Sequence, residues 1–132
     1  MTTFVDTSAL LAVLDADDAE HTRASGTWRE LVGGDESLLT TSYVLVEAFA
    51  LVQARLGLDA TRALDADVVP VLRVMWVDEA LHRAAMTALL TAQRRDLSLV
   101  DCVSFEVMRR AGVRRAFAFD RHFREQSFSP VP

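Results

Sequence analysis

The sequence predicts an α/β fold, a single domain over residues 1–132 built as a three-layer α/β/α sandwich around a short parallel sheet. Three observations carry this. Short apolar runs alternate with helical segments of roughly ten or more residues, the pattern of strand–helix–strand units. Those runs are apolar throughout rather than alternating, as strands covered on both faces are. Finally, 132 residues with 51% hydrophobic and 25% charged side chains suffice for one well-filled core and not for two.

The elements follow in order. Thr3, Phe4 and Val5 read as a buried strand that runs straight into Asp6; Thr7 and Ser8 make a polar turn, and Ala9–Leu14 begins a helix. Asp17–Gly34 places Ala24, Trp28, Leu31 and Val32 at helical spacing, with Gly33-Gly34 as a stop. Leu38–Thr41 is the second strand, and Thr41 or Ser42 caps a helix from Tyr43 to about Leu56 that Gly57 ends. Asp59–Val69 reads as a further helix, closed or kinked by Pro70. Val71–Val77 is a β-rich run with Trp76 expected in the core, and Asp78 caps a long helix from Glu79 to about Arg95. Ser98 opens the next helix, which ends near Ala111-Gly112. Ala116–Phe119 is a strand followed at once by Asp120, and the tail leaves room for one short strand around Phe128.

Composition narrows the chemistry. The single cysteine, Cys102, excludes an internal disulfide and a cysteine-based zinc site, and is most simply a buried small hydrophobe. There is no lysine, so reactions that need one are excluded. No apolar stretch approaches a membrane span and no secretory signal is visible, so a cytoplasmic protein is expected. A net charge of −5 argues against affinity for nucleic acid through bulk positive potential. The charge is uneven, however: residues 94–132 hold eight arginines against five acids, a net of +3, which leaves −8 for residues 1–93. Arginine suits phosphate because its planar fork binds bidentately. The competing account is a solvated face on the final helices.

Four carboxylates stand out. Asp6 and Asp120 each end an apolar strand, and strand ends on one rim of a parallel sheet are where ligands bind. Both also suit a helix N-cap. Glu47 lies among Val44, Leu45, Val46, Ala48, Phe49, Ala50, Leu51 and Val52, so its helix should be buried on most sides. An ionised carboxylate there costs several kcal/mol unless it is paired, for instance with Arg55, or binds metal. Asp101 follows Ser98 at capping-box spacing, which explains both locally and places Asp101 in the first turn of a helix. If the strands of Asp6 and Asp120 are adjacent, two further acids complete a negative pocket, tolerable only with divalent cations in it. Oxygen ligands without cysteine or a histidine pair favour Mg²⁺ or Mn²⁺ over zinc.

The ordered motifs F-V-D-T-S-A-L-L at Asp6, S-Y-V-L-V-E-A at Glu47, L-S-L-V-D-C at Asp101 and F-A-F-D-R-H-F at Asp120 resemble the PIN-domain ribonucleases, and among them the VapC toxins of bacterial toxin–antitoxin pairs. The resemblance covers essentially the whole chain. It implies a PIN-like fold and a metal-dependent endoribonuclease, with Asp6, Glu47, Asp101 and Asp120 as catalytic residues that hold one or two Mg²⁺ or Mn²⁺ ions. Ser8 matches a supporting hydroxyl of the family. Two such ions about 4 Å apart activate water, hold the scissile phosphate and neutralise the leaving oxygen. Arg94, Arg95 and Arg121 are the candidates for RNA backbone contacts, a VapB-like antitoxin and a homodimer are the expected protein partners, and no membrane is involved.

The remaining features are read as structural. His122 matches the family's D-R-H-F but is taken as structural before it is taken as a ligand; His21 and His82 sit on polar helix faces; Asp96 and Asp78 are caps or turn residues. Receiver domains and haloacid-dehalogenase-type phosphatases also set acids at strand ends, but both need a lysine. A PIN-like module that binds RNA or protein without catalysis, and an RNA-processing nuclease with no antitoxin, stay open.

Overall fold

The computed structural model describes residues 1–132. Its centre is a five-stranded sheet, all parallel, in the order β3-β2-β1-β4-β5. The strands are β1 (Thr2–Val5), β2 (Ser37–Thr41), β3 (Arg73–Met75), β4 (Arg115–Phe117) and β5 (Ser129–Val131). Seven helices flank them: α1 (Thr7–Leu14), α2 (His21–Gly33), α3 (Ser42–Leu56), α4 (Leu58–Ala63), α5 (Glu79–Ala92), α6 (Leu99–Ala111) and α7 (Arg121–Glu125). From β1 the chain steps outward through β2 to β3, then returns to the other side of β1 for β4 and β5. Crossovers running both ways, right-handed by rule, put helices against both faces, and the order reverses between β1 and β4.

The central strands are continuous apolar runs because both faces are covered. Phe4, Val5, Leu38, Leu39, Ala116 and Phe117 are all buried. The edge strands differ. Arg73 and Met75 of β3 are exposed, and β5 carries Pro130, tolerated at an edge where one side of the ladder is unpaired. Between β4 and the helices lies an aromatic cluster. Phe105 of α6 meets Phe123 of α7 edge to face at 5.1 Å, Phe128 stacks on Phe105 at 5.8 Å, and Phe4 approaches Phe123 at 6.1 Å. This cluster fixes the body of α6 against α7.

Most helix starts follow from the local sequence. Asp6, Thr41, Asp78, Ser98 and Asp120 each cap a helix by accepting a backbone N–H of its first turn. Gly57 at φ 89° and Gly112 at φ 67° take up the left-handed region where α3 and α6 end.

Some expectations need correction. The region 59–69 is not one helix: α4 gives way to a wide π-helical turn at Leu64–Val68 and a 3₁₀ turn at Val69–Val71, since Pro70 has no N–H with which to continue the α path. The helix expected from Asp17 starts at His21, because Asp15 and Asp18 accept the N–H groups of Asp17 and Glu20 and hold a turn instead. The run Val71–Val77 pairs over only Arg73–Met75, as an edge strand, so Trp76 is 73% exposed rather than core. His21 donates or accepts at the Ala12 carbonyl through Nδ1 at 2.8 Å, and His82 meets the Tyr43 hydroxyl at 2.6 Å, so both histidines tie helices together. Phe117→Ala should cost about 3–5 kcal/mol, whereas Trp76→Ala should change stability by less than about 0.5 kcal/mol; chemical denaturation of the two variants checks the contrast.

Candidate metal centre

β1 and β4 are hydrogen-bonded neighbours, and the Asp6 N–H donates to the Phe117 carbonyl at 3.0 Å. The two carboxylates that follow these strands therefore leave the sheet side by side, at the point where strand order reverses and ligand crevices form. One hydroxyl links the loops that carry them. Ser8 Oγ donates to Asp6 Oδ2 at 2.7 Å and accepts the Phe119 N–H at 3.0 Å, joining the loop after β1 to the loop after β4. The Ser8 N–H also reaches Asp6 Oδ2, at 3.2 Å.

Asp101 arrives from α6. The Ser98–Asp101 capping box is complete: the Asp101 N–H donates to Ser98 Oγ at 3.0 Å, and Asp101 Oδ2 accepts the Ser98 N–H at 3.2 Å. Asp120 caps α7 by accepting the His122 N–H at 2.9 Å. One ligand atom each from Asp101, Asp120 and His122 lies within 4.8 Å of the other two. Local capping and convergence are thus compatible, because a cap uses one carboxylate oxygen and leaves the other free.

Electrostatics single out this corner. Burial raises the Asp6 carboxyl to about 7 from its ordinary 3.8, against the lowering effect of the Ser8 hydrogen bonds, and the charges of Asp101 and Asp120 add to the rise. The Asp101 carboxyl is pushed up as well, by burial first and then by Asp120. No arginine pairs with Asp6, Asp101 or Asp120; the only ion-pair distance is Asp120 to His122, at 3.8 Å. Beside Asp6 in the chain, the buried Thr7 hydroxyl has no hydrogen-bond partner. Clustered acids left uncompensated inside a protein fit a divalent cation, and their all-oxygen chemistry fits a hard one. The N-termini of α1, α6 and α7 meet here too, and their partial positive charge favours anionic groups.

Glu47, like Asp6, lies outside the trio of Asp101, Asp120 and His122. It is half-buried on α3 and makes no ion pair with Arg55 or any other residue. Its helix buries Val44, Leu45, Ala48 and Val52 on one side while Val46, next to Glu47, is 69% exposed, so the expectation of burial on most sides does not hold. Apolar composition could not reveal which turn faces solvent. His122 is buried, and its Nε2 lies 3.0 Å from the Asp96 carbonyl. A carbonyl only accepts, so Nε2 carries the proton and is spoken for, which agrees with a structural role. Of the three arginines singled out, Arg94 and Arg121 are engaged with Asp96 and Glu125, and Arg95 alone is exposed with no acidic partner. Asp96 is ionised, its carboxyl lowered to about 2 by the hydrogen bond from Arg94, and that same guanidinium offsets its charge. The pairing of positions 94, 96, 121 and 125 left no mark in the sequence beyond the charges themselves.

A parallel α/β sheet whose switch point gathers carboxylates is the architecture of a PIN domain, and the chain belongs to that family: its model matches residues 3–129. The chain is 36% identical over 129 residues to the 23S rRNA-specific endonuclease VapC20 of Mycobacterium tuberculosis, in strains CDC 1551 and H37Rv, covering 97% of this chain and 96% of that one. The crystal structure of that VapC20, described as a sarcin–ricin loop cleaving toxin, superposes with a TM-score of 0.87 at 34% identity, over 99% of this chain and 98% of that one. FitAcB from Neisseria gonorrhoeae shares the fold, with a TM-score of 0.68 at 15% identity over 100% and 97% of the two chains.

The raised carboxyls set a pH dependence. The folded protein keeps its Asp6 proton up to about 7, whereas the unfolded chain releases it near 3.8, so the folded state binds more protons in between. Without metal, this contribution to stability is present below the lower value and is lost as pH rises to about 7, and Asp101 acts in the same direction. Melting in EDTA between pH 4 and 8 should show this decline, and Mn²⁺ should raise Tm more at pH 7.5 than at pH 5.

Proposed function

We propose that this protein is a Mg²⁺- or Mn²⁺-dependent endoribonuclease and the toxin of a toxin–antitoxin pair. One observation carries the reading: Asp101 and Asp120 lie together beside His122 at the switch point of a PIN-domain sheet, and the buried Asp6 at the end of β1 feels both charges, with no arginine paired to any of the three. Asp6, Asp101 and Asp120 would hold the cation, with Glu47 of α3 as a fourth carboxylate from the neighbouring helix. When bound, the cation supplies a more acidic water and neutralises charge on the phosphate and the leaving oxygen.

The chain's own residues then have distinct tasks. Asp6 gives up its proton to serve the cation, and Ser8 holds that carboxylate in place while fixing the spacing between β1 and β4. The three helix N-termini favour the anionic phosphate as they favour the carboxylates. Arg95, exposed and unpaired, is placed to contact the RNA backbone, and a bound cation would offset the negative charge of the site in a protein of net charge −5. The similarity to VapC20 supports a substrate in 23S rRNA, at the sarcin–ricin loop. A VapB-like antitoxin would cover the acidic pocket, and the exposed Val46, Met75 and Trp76 offer an apolar surface for a homodimer. No helix is long and apolar enough to cross a membrane; we take the site of action to be the cytoplasm, where ribosomes are.

Incubation with ribosomes and primer-extension mapping of 23S rRNA tests the activity, with EDTA as control. Asp6→Asn should abolish cleavage and leave the folded structure intact; cleavage that persists in this variant would remove the catalytic assignment. Ser8→Ala should weaken Mn²⁺ binding about 10–100-fold, the usual effect of removing a residue that orients a ligand, as titration calorimetry would record.

A further inference from the structure

We propose that Arg94 is a positioning residue of the carboxylate centre: its guanidinium staples the segment leading into α6, and with it Asp101, to α7, which begins at Asp120. The inference rests on the metal-site reading above and concerns how the site keeps its shape.

Asp101 and Asp120 repel each other, and no direct hydrogen bond joins them. Asp101 bonds only to Ser98, and Asp120 only to the His122 N–H. The aromatic contact between Phe105 and Phe123 secures α6 one turn further along. The segment before α6 lies outside that contact: Leu97 is buried in the core, and polar groups fix the exposed residues on its N-terminal side. Arg94 donates from Nε to Asp96 Oδ1 at 3.1 Å and from Nη2 to Asp96 Oδ2 at 2.8 Å, a bidentate pair within its own segment. Its third nitrogen, Nη1, donates to Glu125 Oε2 on α7 at 2.8 Å. From α7, Arg121 reaches Asp96 Oδ2 at 3.3 Å and Glu125 Oε1 at 3.2 Å, while His122 Nε2 donates to the Asp96 carbonyl. Asp96, two residues before the Ser98 cap, is thus anchored from α7 on both its side chain and its backbone.

Arg94 is the less exposed of the two bridging arginines, with a side chain 36% exposed against 74% for Arg121. Its fork meets two carboxylates on two elements with three short bonds, which a lysine could not do. Isolated surface pairs contribute little, but a bidentate network is the exception. A guanidinium with all three nitrogens engaged is a poor partner for RNA phosphate, contrary to what its place in the sequence suggests.

The test is Mn²⁺ affinity of the RNA-free protein, by titration calorimetry, for the natural chain and for Arg94→Gln, Arg94→Lys, Glu125→Gln and Asp101→Asn. Arg94→Gln should weaken Mn²⁺ binding about fivefold, the factor equivalent to about 1 kcal/mol. Arg94→Lys should fall in between. Glu125→Gln should shift affinity in the same direction, and combining it with Arg94→Gln should add little, since both break one staple. Cleavage by Arg94→Gln should recover at high Mn²⁺ with an unchanged KM for RNA. Unchanged Mn²⁺ affinity in Arg94→Gln, alongside its loss in Asp101→Asn, would overturn the staple, and a raised KM with normal Mn²⁺ binding would make Arg94 an RNA contact instead. Intact Mn²⁺ binding in Asp101→Asn would overturn the metal-site reading itself.

Discussion

A carboxylate enclosed by protein and set beside two more is an expensive arrangement. Asp6 is buried at the end of the central strand, with Asp101 and Asp120 close enough to oppose its ionisation. Desolvation dominates, and like charge adds to it. The surroundings soften the cost without cancelling it. Ser8 donates twice to Asp6, and Asp6, Asp101 and Asp120 each sit at the cap or in the first turn of a helix, where partial positive charge favours a carboxylate. None of these supplies a full positive charge, and the arginines nearby are spent on Asp96 and Glu125. The rest of the fold can be understood as the means of holding this unfavourable cluster together until a cation completes it.

Two kinds of force do the holding. Apolar burial fixes the strands and the bodies of the helices: Phe4, Phe105, Phe117 and Phe123 pack between β1, β4, α6 and α7. Hydrogen bonds with direction fix the last few ångströms. The Ser8 hydroxyl spans the loops after β1 and β4, and the Ser98–Asp101 box sets the pitch of the first turn of α6. Hydrophobic packing alone is non-directional and could not set the angle of a carboxylate.

Glu47 and Trp76 show how the periphery departs from the centre. Both lie in strongly apolar stretches, and both are less buried than those stretches suggest. α3 covers the sheet with one face and turns Val46 outward, while β3 is a short edge strand whose end leaves Trp76 in solvent.

How much could be read from the chain alone follows from the range of the forces. Strand runs, caps at Asp6, Thr41, Asp78, Ser98 and Asp120, and stops at Gly57 and Gly112 depend on neighbours a few residues away, so they were legible, and the motifs around the four acids were enough to indicate the family. Pro70 announced an interruption, but whether the helix before it would end or widen into a π-turn depends on what packs there. The adjacency of β1 and β4, the Ser8 bridge, the exposure of Trp76 and the pairing of Arg94 with Glu125 join residues far apart in sequence. The sequence by itself determined which residues carry charge and where the capped helices begin; only the tertiary structure decided which of those charges meet, because long-range contacts are set by strand order and packing rather than by local propensity.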